Sequence, residues 1–274
     1  MTSLAGKFNI DEKIIIITGG EGVLGSTLAF ELAAMGARIA IIGINKQRGE
    51  EIEDSIIRNK GDAVFYCASV LDRKAMEEVK KSVLSRWGKI DILINAAGGN
   101  MPGATVGEGE SIFDMDIDDF RKVCELNLDG TVIPSLIFGE EMSKQARGVI
   151  LNYSSMASLR AISRVAGYSS AKAAVDNFTR WMAVEMARKY GDGIRVNAIA
   201  PGFLVTNQNR DLLLNKDGSI TERGKKIINQ TPFGRFGEPE ELTGTVLWLI
   251  SDASSFVTGA VIPIDGGFSA YSGI

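Results

Sequence analysis

The stretch Ile14-Ile-Ile-Ile-Thr-Gly-Gly-Glu-Gly-Val-Leu-Gly25 decides the fold. Four β-branched residues in a row read as a strand buried on both faces, as in a parallel sheet. Glycines follow, and the apolar spacing from Val23 to Met35 then reads as helix. A strand turning through glycines into a helix gathers free backbone amides and the positive end of a helix dipole at one point. Gly20, Gly22 and Gly25 satisfy the G-x-G-x-x-G spacing, which in this context marks a pyrophosphate cradle.

The same alternation continues outward from that unit. Arg38 to Ile42, Ala63 to Cys67, Ile90 to Asn95, Val149 to Tyr153 and Ile194 to Ile199 read as further strands, and Ala260 to Ile264 as a seventh. Between them, apolar residues three and four apart predict helices over Gln47 to Asn59, Arg73 to Trp87, Ile117 to Met142, Tyr168 to Lys189 and Pro239 to Ile250. The pattern implies one doubly wound α/β domain over residues 1–274, with a seven-stranded, mainly parallel sheet and helices on both faces. The longest irregular stretch, 202–237, follows the sixth strand and is expected to form a partly helical substrate lid.

Composition narrows the chemistry. The chain has 274 residues, 45% hydrophobic, with a net charge of −4 and no cluster of Lys or Arg, which argues against nucleic acid or an anionic membrane as partner. No apolar run is long enough to span a bilayer, and the first residues lack the apolar core of a secretory signal. Cys67 and Cys124 are without metal-ligand spacing and are expected to be reduced core residues of a cytoplasmic protein. No metal site is expected. Histidine is absent, so a Ser-His-Asp hydrolase is excluded and acid–base work must fall to another group.

Tyr168-Ser-Ser-Ala-Lys172 supplies that group. Four residues apart on a helix, the phenol and the ammonium project from one face. An adjacent cation is expected to lower the phenol pKa from about 10 toward neutrality, which requires about 4 kcal/mol of differential stabilisation. Such a tyrosine can serve as general acid or base on an alcohol/carbonyl pair.

These features together resemble the short-chain dehydrogenase/reductase family, from about Lys13 to Gly267. Thr18-Gly19-x-x-x-Val23-Leu24-Gly25 is similar to the family's T-G-x-x-x-G-x-G, with Val23 in the place of the middle glycine and Gly22 one residue earlier. Asn95-Ala96-Ala97-Gly98 is similar to N-N-A-G, and Ser69-Val70 stands where Asp-Val is usual beside the adenine. Asn127, Ser155, Tyr168 and Lys172 match the family's catalytic tetrad, and Pro201-Gly202 with Thr206 matches the segment that contacts the nicotinamide amide. The resemblance implies a Rossmann fold, a bound NAD(P), and a homotetramer in which the helices from Ile117 and Tyr168 pair between subunits. In it Ser155 polarises the substrate oxygen, Tyr168 exchanges the proton, Lys172 also holds the nicotinamide ribose, and Asn127 holds a water linking Lys172 to solvent.

NAD against NADP stays open. An acidic residue about 20 positions beyond the loop would hold the adenosine ribose. The second strand instead ends in Gly43-Ile44-Asn45-Lys46, with Arg48 nearby. Lys46 and Arg48 permit NADP, whereas Asn45 can bond a ribose hydroxyl and Glu21 disfavours an added phosphate.

Within the family the finer resemblance is to the fructuronate reductase (D-mannonate oxidoreductase) branch. It rests on Gly98-Gly-Asn-Met-Pro-Gly-Ala-Thr105, Pro201-Gly-Phe-Leu-Val-Thr-Asn-Gln-Asn-Arg210, Thr231-Pro-Phe-Gly-Arg-Phe-Gly237 and Phe268-Ser-Ala-Tyr-Ser-Gly273. A sugar acid needs a cation for its carboxylate and donors for its hydroxyls. Asn100, Ser155, Arg160, Arg164, Asn207, Gln208 and Arg210 are the candidates. Two other readings stand beside it: a reductase of another carbonyl, such as 5-ketogluconate or a 3-oxoacyl thioester, and a cofactor-sensing module without catalysis.

Overall fold

Four isoleucines and a threonine make β1 (Ile14–Thr18), and all five are buried. The strand pairs in parallel with β2 (Arg38–Gly43) on one side and β4 (Ile92–Asn95) on the other, so neither face nor edge meets water. The computed structural model describes residues 3–206 and 209–274. Its sheet also contains β3 (Asp62–Cys67), β5 (Gly148–Tyr153), β6 (Ile194–Pro201) and β7 (Val261–Ile264), in the order β3-β2-β1-β4-β5-β6-β7. Every pairing is parallel, so the sheet is wholly rather than mainly parallel. Strand order reverses between β1 and β4, which opens a crevice at their carboxyl ends.

The helices are α1 (Leu4–Lys7), α2 (Val23–Ala34), α3 (Lys46–Arg58), α4 (Arg73–Trp87), α5 (Ile117–Cys124), α6 (Gly130–Gln145), α7 (Met156–Leu159), α8 (Ala166–Tyr190), α9 (Arg210–Leu213), α10 (Glu222–Gln230) and α11 (Thr243–Ile250). Alternate residues of β1 serve the two faces. Ile15 and Ile17 pack with Leu28 and Leu32 of α2, Ile52 and Ile56 of α3, and Val246 and Leu249 of α11. Ile14 and Ile16 pack with Met76 and Val83 of α4, Ile137 and Phe138 of α6, and Met182 and Met186 of α8. Each fully buried isoleucine contributes about 2 kcal/mol of transfer free energy, and these two layers fix the sheet that carries the site.

Three expectations change. The single helix from Ile117 is broken: a π turn at Glu125–Asp129 separates α5 from α6. Cys67 is exposed and Cys124 half-buried, so neither is the core thiol expected; Cys67 ends β3 where the strand emerges at the crevice edge. Finally, Ile90 precedes β4 rather than starting it. The 202–237 stretch holds α9 and α10, and its ends meet where Leu204 bridges Gly237. No helix among the described residues is long and apolar enough to cross a membrane.

Candidate active site

The chain leaves β1 at Gly19 with φ +64°, and a Cβ there would lie 2.7 Å from Ala97 Cα. A Cβ on Gly25 would overlap the Gly19 carbonyl oxygen, so α2 can approach the turn only through glycine. Gly22 is the N-cap and offers no side chain, which leaves the first amides of α2, at Val23, Leu24 and Gly25, for an anion. Val23 is the first helical residue, and helical backbone accepts a valine where a tight turn would have required glycine.

Glu21 crosses from this loop to the end of β2. Its Oε1 accepts from the amides of Ile44, at 2.8 Å, and Asn45, at 3.4 Å. Its Oε2 is buried without a partner, against Gly43, where any Cβ would overlap it. The Asn45 side chain caps α3 by accepting from the Arg48 amide at 3.1 Å. Lys46 and Arg48 project outward toward Glu50, at 3.7 Å, and Glu51, at 3.6 Å. Ser69 follows β3 and its Oγ accepts from the Leu71 amide. Val70 is buried against Gly130 at the start of α6. A glycine cradle, an uncapped helix start and an orphaned carboxylate oxygen at the end of β2 fit an adenine dinucleotide.

On the other side of the crevice, the Ala96 and Ala97 amides donate to the backbone oxygen and hydroxyl of Thr18, both at 3.2 Å. The Asn95 side chain does not face this loop. It donates to Ser135 Oγ at 2.8 Å and Asn152 Oδ1 at 2.9 Å, and Asn152 donates onward to Thr179. This buried polar chain ties β4 and β5 to α6 and α8, so Asn95 braces the floor under the Ala96-Ala97-Gly98 backbone.

The four tetrad residues come together. The π turn presents Asn127, whose Nδ2 donates to the carbonyls of Gly99, at 2.7 Å, and Val123, at 2.8 Å, while its Oδ1 accepts from the Gly99 amide at 3.1 Å. Ser155 caps α7, its Oγ accepting from the Ala157 amide at 3.1 Å, and it also hydrogen-bonds the Tyr168 phenol. Lys172 is buried, with Nζ donating to the Tyr153 carbonyl at 2.8 Å and lying 5.6 Å from the Tyr168 ring centroid. Gly98 fills the gap: a Cβ there would stand 2.6 Å from Asn127 Oδ1 and 3.2 Å from Lys172 Nζ.

The electrostatics depart from the sequence expectation. Burial pushes the Tyr168 phenol above its ordinary value, opposed by the Ser155 hydrogen bond; Lys172 does not depress it. The reason is placement, because the ammonium lies over the ring and bonds a carbonyl rather than the phenol oxygen. Burial instead brings Lys172 itself down to about 8, opposed by the Asp176 carboxylate one turn on. Desolvation outweighs the proximity of the pair here.

The predicted substrate residues divide. Arg164 takes the left-handed φ of +81°, and both its carbonyl and its Nε bond the backbone of Val106, which ties the segment before Tyr168 to the loop after β4. Arg160 donates to the Ser269 carbonyl at 2.7 Å, near the C-terminus. Asn100 is exposed and holds Thr105 Oγ1, and Arg210 is exposed on α9. Asn207 and Gln208 lie outside the described residues. Pro201 ends β6, Gly202 lies so close to Asp265 that a Cβ would stand 2.6 Å from its Cα, and the Thr206 amide donates to Asn209 Oδ1. One residue was missed. Arg223 on α10 reaches back to the Ser163 carbonyl at 3.4 Å. Burial and then the charge of Arg164 pull its guanidinium below the ordinary range, with Glu108 opposing. The available signal was a cation inside the predicted lid.

Comparison with known proteins agrees with this geometry. The family described as Enoyl-(Acyl carrier protein) reductase matches residues 21–269. "Uncharacterized oxidoreductase UxuB" of Bacillus subtilis (strain 168) is 46% identical over 97% of this chain and 98% of its own. A solved structure of a Haemophilus influenzae protein, given provisionally as a D-mannonate oxidoreductase and holding NAD, is 44% identical with a TM-score of 0.90, covering 97% of this chain and 98% of that one. The 7alpha-hydroxysteroid dehydrogenase of Escherichia coli (strain K12) is 32% identical over 94% of each chain. The chain thus belongs to the short-chain dehydrogenase/reductase family, and it is an NAD(P)-dependent oxidoreductase.

Proposed function

We propose that the enzyme interconverts D-fructuronate and D-mannonate, with residues 202–237 as the substrate lid. The observation that carries this reading is the pair Arg164 and Arg223, one four residues before Tyr168 and the other on the lid. The charge of Arg164 bears on Arg223 and the Glu108 carboxylate opposes it, and among the described residues neither guanidinium has a carboxylate within ion-pair distance. Two guanidinium groups so placed suit a substrate carboxylate, which would relieve their repulsion and hold the lid down. Similarity to the Haemophilus influenzae protein supports the same substrate. Polar, arginine-bearing loops suit an acyl thioester poorly.

In the reducing direction, Ser155 donates to the substrate carbonyl oxygen and Tyr168 delivers the proton to it. Ser155 and Tyr168 are hydrogen-bonded to each other, so the two hydroxyls converge on one place where a carbonyl oxygen can accept from both. Lys172 holds a ribose, and Asn127 fixes the Gly99 backbone beside it. The nicotinamide, when bound, supplies or accepts the hydride. We further propose a homotetramer, supported by the exposed Leu136 of α6 and Trp181 and Val184 of α8, and a cytoplasmic location.

The test is a panel of D-fructuronate, 5-ketogluconate and an acetoacetyl thioester, each with NADH and NADPH. Fructuronate is expected to give the highest kcat/KM, and a preference for the thioester would refute the assignment. Arg164→Gln and Arg223→Gln are each expected to raise KM for fructuronate by about tenfold or more, the loss of one charge-assisted hydrogen bond. An unchanged KM in both would remove the carboxylate clamp.

A further inference from the structure

We propose that Glu21 selects NAD over NADP: supplied by the glycine-rich loop, its carboxylate stands at the end of β2, where it accepts from the adenosine ribose hydroxyls and excludes a 2′-phosphate. The inference rests on the dinucleotide site and is independent of the sugar-acid reading. In this fold an acidic residue about 20 positions beyond the loop normally meets the ribose at the end of the second strand. Here that strand ends in Gly43-Ile44-Asn45, with no acid, and a carboxylate arrives at the same place from the first turn instead.

Three features say that the place is built for it. Gly43 has no side chain, and any Cβ there would overlap the Glu21 carboxylate. The Ile44 and Asn45 amides donate to Oε1 just before α3 begins, where the helix dipole favours an anion. Oε2 is buried with no partner, a costly state that a hydroxyl donor relieves. A 2′-phosphate would compete for these same amides, and Glu21 already fills that anion place. The nearby cations are turned toward acids of their own, Lys46 to Glu50 and Arg48 to Glu51. Asn45 is engaged as the α3 cap. Little in the loop is left to balance the extra charge of about −2.

The test measures dissociation constants by fluorescence titration without substrate, for NADH, NADPH and 2′-deoxy-NADH. The wild-type protein and the Glu21→Gln and Glu21→Ala variants are compared. Wild type is expected to bind NADH more tightly than NADPH, and to bind 2′-deoxy-NADH about tenfold more weakly than NADH. Both variants should narrow the NADH/NADPH ratio by at least about tenfold, chiefly through tighter NADPH binding, and Glu21→Ala should bind NADH and 2′-deoxy-NADH alike. Equal wild-type affinity for NADH and 2′-deoxy-NADH would overturn the proposal even if no variant folds. So would an unchanged ratio in a folded variant, which leaves Glu21 as a loop brace only. Failure to bind either reduced cofactor would overturn the nucleotide site itself, and Glu21's role with it.

Discussion

Tyr168 and Lys172 were recognisable from their spacing, but the sign of their electrostatic exchange was not. Spacing fixes which face two side chains share; it does not fix where a four-carbon stem places its ammonium. In the fold that ammonium bonds the Tyr153 carbonyl and its own pKa falls to about 8. The consequence for stability has a definite sign. Below pH 8 the folded and unfolded chains both hold the proton, and the folded protein carries a buried charge. Between about 8 and the ordinary 10.5 the unfolded chain binds more protons, so this group makes stability rise with pH. Lys172→Met removes the effect. Without cofactor, its stability relative to wild type is expected to be about 2 kcal/mol more favourable at pH 7 than at pH 10, read from urea unfolding at both pH values. No change in that difference would show that the ammonium is well solvated. Tyr168→Phe should lower kcat by about 10²- to 10⁴-fold while leaving the NADH dissociation constant unchanged, the signature of a lost proton donor. Retained turnover would end the acid–base assignment.

At the scale of elements, the strands were legible within a residue or two because runs such as Ile14–Ile17 can be satisfied only inside a parallel sheet. The break between α5 and α6 was not. A π turn accommodates one extra residue without ending the helix, so apolar periodicity carries on past it with a shifted phase. Its purpose is tertiary: it points Asn127 at both the amide and the carbonyl of Gly99, 28 residues away. The same limit hid Arg223, whose partner Ser163 lies 60 residues distant in sequence. Asn127→Ala would strand both Gly99 groups. A loss of about 2–3 kcal/mol in unfolding free energy is expected, together with reduced kcat. A neutral effect on stability would mean that water replaces the clamp without penalty.

At the scale of the molecule, the tetrad and the glycine-rich loop sit at the carboxyl edge of one sheet, while the long helices that support it leave apolar side chains outward. Gly139 lets α6 approach Met182 closely, so α6 and α8 lie side by side over the core. Met182 and Met186 are buried, whereas Trp181 is 53% exposed, Val184 54% and Leu136 44%. Trp181 and Val184 share one face of α8, and Phe178 stacks on Trp181 at 5.9 Å. Exposed apolar side chains on two neighbouring helices suit an association surface, and we propose that a twofold pairing of α6 and α8 with a second copy covers them. At the other end, Phe256 and Ile274 are fully exposed near the C-terminal segment that Arg160 holds through Ser269. Exposed apolar groups at these two places support the proposal of a dimer of dimers. Light scattering at micromolar concentration should therefore report a mass about four times 29.4 kDa. Trp181→Glu with Val184→Glu places charges in the helical face and should leave only pairs held by the C-terminal face, with the mass roughly halved. A monomeric wild type, or a tetramer indifferent to both charges, would show that this surface is not where the copies meet.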